Sequence, residues 1–315
     1  MDAQRGREVG RGVSARGSFK AVAALCVVVA LLAGAAAATG VFLRGTGATE
    51  TVTSVRGETY EMMTDGIYAN NAERVVAEGI GWDFVTLLVA VPALLVAAPF
   101  VARGSLRGRL FALGVLSYFV YQYLMYAVFW ALGPLFPLFV AIFPLAATAL
   151  VWIASTIDVA GLPGRVGPRF PRRGMAVFSF LMALLLVGMW SQRIATGLSG
   201  DLEGAGLMGV TTLSVQALDL GVIVPLGVAT GVLVLRRRPW GYVLSTVMAV
   251  KGASMALAIC AMLTVAATIE GVVEWGPLAI FAAAAAASAV LGWRMFASLP
   301  SALDSPHDHR ALHAR

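Results

Sequence analysis

The sequence predicts an all-α integral membrane protein, a bundle of eight transmembrane helices. Three observations carry that prediction. The mean hydropathy is +0.83, with 59% hydrophobic and only 13% charged residues, whereas an ordinary soluble domain carries roughly 25% charged residues. Eight apolar stretches follow one another, each close to the ~20 residues that a bilayer requires of a helix. The basic residues are confined almost entirely to alternate gaps between those stretches.

In chain order the stretches are 19–43, 81–102, 110–132, 135–155, 175–190, 213–235, 242–267 and 277–296. One side of the membrane collects Arg5, Arg7, Arg11, Arg16 and Lys20, then Arg103, Arg107 and Arg109. The same side collects Arg165, Arg169, Arg172 and Arg173, then Arg236, Arg237 and Arg238, and finally Arg294, Arg310 and Arg315. The other side holds only Arg44, Arg56, Arg74 and Arg193. Positive charge marks the cytoplasmic side, so both termini are expected in the cytoplasm. The Arg, Ala, Gly and Val bias fits a GC-rich genome and hence a bacterial or archaeal plasma membrane.

The organisation that follows is a basic N-terminus (1–18), helices one to four (19–156), a linker (157–174), helices five to eight (175–297) and an unstructured tail (298–315). The first apolar run reads as a retained anchor, because it is long for a signal-peptide core of 7–15 residues; the small residues at 35–40 keep the cleaved alternative open. The one sizeable hydrophilic segment, 44–80, carries six acids and three arginines. It is too short for its own core and reads as a solvated acidic loop; the alternatives are a surface helix over 71–78 or a cap over the outer face.

The halves resemble each other. The second stretch contains GWDFVTLLVAVP and the sixth QALDLGVIVP: an aspartate, a Val-rich run, then proline. Four helices per half would make the two halves a parallel pseudo-repeat about an axis along the membrane normal. The two aspartates, Asp83 and Asp219, are the landmarks of that comparison.

Only two of the 23 basic residues are lysines, and Lys251 lies inside an apolar stretch. An ionisable group at membrane depth is costly and has a partner or a task. At 1.5 Å per residue Lys251 lies ~20 Å above the arginine cluster at 236–238, and Asp219 ~25 Å above it on the preceding antiparallel helix. An Asp219–Lys251 ion pair is therefore expected. Gln216 shares the face of Asp219, and Ser254 that of Lys251. In the third stretch Tyr118, Tyr121, Gln122 and Met125 form one helical stripe that must face the bundle. Asp83, beside Trp82, is expected at the outer interface as a helix-end anchor. Pro134, Pro137 and Pro144 mark a turn and kinks.

Sharper chemical signals are absent from the sequence. There is no GxxxxGK[ST], HExxH, CxxC or GxSxG motif, and His307, His309 and His313 all fall in the tail. No cofactor is expected, no nucleic acid, and no catalytic constellation. The partners expected are the bilayer and a small-molecule or ion ligand. Three function classes remain: a transporter or small-molecule-binding membrane protein centred on Lys251 and Asp219, with Gln122, Gln216, Tyr121, Tyr118 and Ser254 around them; a non-catalytic subunit or sensor whose buried charges are structural; and an integral membrane enzyme.

Overall fold

The computed structural model describes residues 2–300, with side chains from Gly17 onward. The tail histidines and the side chains of Arg5, Arg7, Arg11 and Arg16 lie outside the described residues. The chain is 73% helical. Among the described residues eight helices are long and apolar enough to cross a membrane: Gly17–Phe42, Glu73–Ala102, Leu106–Phe129, Phe136–Ser155, Arg172–Leu198, Ser214–Leu235, Pro239–Glu270 and Trp275–Ala297. Large apolar side chains such as Leu184, Val96 and Val151 face outward, as a lipid-facing surface requires.

The seventh helix is the hub, packed against the second, third, sixth and eighth. The first helix packs on the second and fourth, and the fifth on the sixth. At the crossing of the second and seventh helices a glycine is required, since a Cβ on Gly81 would lie 2.5 Å from Met262 N. The fifth helix, expected over 175–190, continues to Leu198. That extension places Trp190 within the helix rather than at its end.

The segment between the first two helices is largely exposed over 44–62 and is ordered rather than irregular. It forms an antiparallel hairpin, β1 Thr49–Thr53 and β2 Thr59–Met63. The Arg56 guanidinium donates to Thr211 O at 3.0 Å, tying the hairpin to the segment before the sixth helix. Below it Asp65 accepts from the Thr46 N–H and hydroxyl at 2.7 and 2.6 Å. Those two donors hold the Asp65 carboxyl below the usual carboxylate range. The helix expected near 71–78 is the first two turns of the second helix itself, which begins at Glu73.

Two interruptions of the α-helical ladder correspond closely. Thr86–Ala90 is a π-turn in the second helix, and Asp219–Ile223 is a π-turn in the sixth. Each closes with an N–H bonded five residues back, Val91 to Thr86 O and Val224 to Asp219 O. Each is followed at once by Val–Pro. Proline cannot donate to the ladder and crowds the carbonyl four residues before it, and a wider turn there relieves both demands.

From that turn onward the two backbones keep step, 133 residues apart (Thr86 to Asp219). The helices end at Ala102 and Leu235. Two residues later Gly104 and Arg237 both adopt positive φ, +74° and +54°. The next helices start at Leu106 and Pro239. This register pairs Thr86 with Asp219, Asp83 with Gln216 and Tyr118 with Lys251. It replaces the aspartate-to-aspartate alignment expected from sequence, because the π-turn and proline fix the spacing and the aspartates do not.

Candidate functional site

The second, third, fifth, sixth and seventh helices enclose a cavity of about 710 Å³ at the hairpin end of the bundle, within the ~300–1,000 Å³ common for small-molecule sites. Tyr60 of β2, Asn70, Asn71 and the 206–213 segment border it on the hairpin side. Its walls are mainly apolar and rich in methionine: Met125, Met182, Met189, Met248, Met255 and Met262 all line it.

The polar groups gather where the third, fifth, sixth and seventh helices converge. Asp219, at the start of the π-turn, accepts from the Tyr121 hydroxyl at 2.6 Å and from the Trp190 indole N–H at 2.9 Å. The Lys251 ammonium lies over the Tyr121 ring, 4.3 Å from its centroid. The expected direct ion pair is not formed: among the described residues no carboxylate oxygen lies within 4.0 Å of Lys251. Tyr121 and Trp190 supply the carboxylate's hydrogen bonds, and the phenol ring takes the face of the ammonium. Lys251 is 7% exposed and Gln216 5%, and both line the cavity. Neither side chain has a hydrogen-bond partner among the described residues.

The stripe expected on the third helix divides. Tyr121 and Met125 face the cavity. Tyr118 and Gln122 are fully buried toward the second helix. There the Tyr118 hydroxyl stands 2.8 Å from Thr86 Oγ1, which donates to Gln122 Oε1 at 2.8 Å. Ser254 bonds the carbonyls of Val250 and Lys251 on its own helix and does not line the cavity. Four expected residues, Lys251, Asp219, Gln216 and Tyr121, therefore meet at one site, while Tyr118, Gln122 and Ser254 lie apart from it.

Asp83 also departs from expectation. It is 1% exposed, and its carboxyl is held by the Tyr68 and Tyr126 hydroxyls at 2.5 and 3.2 Å. The segment carrying Tyr68 folds over the helix end and removes it from the interface.

Sequence reading missed Trp190, Arg193 and the mouth. Arg193 lines the cavity and donates Nε to Ala205 O at 2.7 Å. Arg74 joins Glu78, Glu270 and Glu274, clamping the second helix to the end of the seventh and the start of the eighth. Glu270 and Glu274 are thus both engaged by one arginine. Among the described residues no cluster of three His, Cys, Asp or Glu side chains offers a metal site.

No family model, curated protein or solved structure matches this chain. The functional reading therefore rests on the cavity and the groups that face it.

Proposed function

We propose that this chain is a multi-pass plasma-membrane protein that binds and carries a small molecule in the cavity beside Lys251. The reading also places the arginine-rich end in the cytoplasm, so the cavity mouth faces outward. One observation carries it: a cation 7% exposed, at membrane depth, faces a large cavity with no acceptor among the described residues. A buried charge is costly unless paired and hydrogen-bonded. A ligand oxygen is the missing partner. Gln216 would add a second polar contact, and Asp219, already supplied with two donors, would orient Tyr121 and Trp190.

The matching π-turns support two four-helix halves related by a parallel repeat. In that scheme the first half keeps a neutral, closed Thr86–Tyr118 contact where the second half sets Asp219 and Lys251 around a cavity.

The structural-subunit reading has one observation in its favour, since Asp219 joins the third, fifth and sixth helices through Tyr121 and Trp190. A thermal-shift screen of soluble and lipidic compounds on the purified protein and on Lys251→Met separates the two. The transport-type reading expects at least one compound that stabilises the native protein and not the variant. A screen with no Lys251-dependent compound, together with strong destabilisation by Lys251→Met alone, would establish the structural role instead.

A further inference from the structure

We infer that the occupant of this cavity is a long-chain anionic amphiphile, taken sideways from the bilayer between the fifth and eighth helices. The inference rests on the cavity being a binding site and specifies what it binds.

The two halves differ at their outer pair of helices. In the first half the outer pair of helices, first and fourth, pack against each other, with the Trp152 indole donating to Ser18 Oγ at 3.0 Å. The corresponding fifth and eighth helices scarcely touch. They approach at the arginine end, where a Cβ on Gly174 would stand 3.1 Å from Leu291. Nearer the hairpin end, Leu185 on the fifth helix and Phe281 on the eighth both border the cavity. The fifth and eighth helices thus form a looser seam beside the cavity than the first and fourth do, and the proposed entry lies along it.

The lining suits an acyl chain. A water-soluble solute would meet a mouth hemmed by the hairpin and the Arg74–Glu274 contact. The interior beyond it is largely apolar, and methionine side chains adapt to flexible chains better than to rigid polar solutes. An acyl chain leaving along the seam satisfies that lining without desolvating polar groups.

The charges near Lys251 set the head group. Among the described residues Lys251 has no acceptor and Arg193 has no carboxylate within 4.0 Å. Of the other charged groups that line the cavity, Arg74 is paired with Glu78 and Glu274, and Asp219 already accepts from Tyr121 and Trp190, which leaves Lys251 and Arg193 to meet an anionic oxygen. The ligand therefore brings an acidic head to Lys251 and leaves its chain among the methionines.

The test uses the full chain in a neutral maltoside detergent, with ω-bromododecanoate as probe. Its bromine quenches nearby indoles, and Trp82, Trp130 and Trp190 line the cavity. Saturable quenching is expected, with the neutral analogue ω-bromododecanol binding far more weakly and acetate not competing. Lys251→Met should weaken the carboxylate probe by ~30-fold or more, the loss expected when one partner of a buried charged hydrogen bond is removed. Leu185→Trp, which fills the seam and leaves Lys251 in place, should also weaken it. Melting curves on both variants verify that they are folded, and Lys251→Gln serves if Lys251→Met is not. Equal binding of acid and alcohol, or full competition by acetate, would overturn the amphiphile. If short solutes stabilise the protein through Lys251 while the bromo acid fails to quench, the cavity reading stands and this inference falls. If nothing depends on Lys251, both fall.

Discussion

The Tyr121 hydroxyl donates to Asp219 across 2.6 Å, joining the third helix to the π-turn of the sixth. The same ring carries the Lys251 ammonium on its face. Because the carboxylate draws its hydrogen bonds from Tyr121 and Trp190, it is not hydrogen-bonded to the lysine, and mutation of each charge tests how far it depends on the other. Lys251→Met should be neutral or stabilising by up to about 2 kcal/mol, since it removes a buried cation without a hydrogen bond and keeps an unbranched side chain. Thermal unfolding of Lys251→Met, Asp219→Asn and the double variant checks this. Strong loss in both single variants, recovered in the double, would show that the charges exist to stabilise each other.

Tyr68→Phe should be more damaging than its exposed neighbours suggest. It removes the 2.5 Å hydrogen bond to Asp83, a carboxyl 1% exposed. Leaving a buried acceptor short of a donor costs about 1–3 kcal/mol. Tyr60→Phe, on the exposed hairpin, provides the comparison in chemical or thermal melts.

Gly81→Ala should cost about 1–3 kcal/mol, because its Cβ would press on the backbone of Met262 and Ala261 where the second and seventh helices cross. Gly221→Ala is the control: it lies in the sixth-helix π-turn with nothing within 4 Å of the added carbon. Equal losses in the two variants would contradict the close crossing.

At Arg237 the backbone has φ +54°, a conformation that the first half assigns to Gly104. An L side chain there is strained by roughly 1–2 kcal/mol. Arg237→Gly should therefore raise stability by about 1 kcal/mol, despite the lost charge, and the midpoint of thermal unfolding reports it.

Acid should loosen the hairpin loop before the bundle. Asp65 titrates below the usual carboxylate value because the Thr46 hydroxyl and N–H favour its charged form. Its contribution is complete above the unfolded value of about 4 and is lost as pH falls through the lower folded value. Protease nicking within the loop should rise on acidification below about pH 4. Thr46→Ala should shift that rise to higher pH; an unchanged profile would remove Asp65 from the account.

Much of the site was legible because depth in a membrane is linear in sequence. Counting residues from the arginine clusters placed Lys251 and Asp219 at one level, and helical spacing added Gln216 and Tyr121. Which way each face turned was not legible. Tyr118 and Gln122 share a stripe with Tyr121, yet a stripe is wider than one contact, and Thr86 on the second helix claims its far edge. Trp190 was read as a helix end because the polar run SQRIATGL resembles a loop; the helix continues through it. Asp83 was read as an interfacial anchor because nothing local announces that Tyr68, fifteen residues earlier, folds back over it.

The sequence by itself determined the eight spans, their approximate depth scale and the presence of one lysine within them. Hydropathy and helical rise are local properties, and each residue reports its share without reference to partners. Only the tertiary structure decided that a cavity forms between the second, third, fifth, sixth and seventh helices, and that Lys251 faces it with no hydrogen-bond acceptor among the described residues. Those outcomes depend on which helices touch, on where a glycine admits a backbone, and on which donors reach Asp219 first. All of these are relations between residues far apart in the chain.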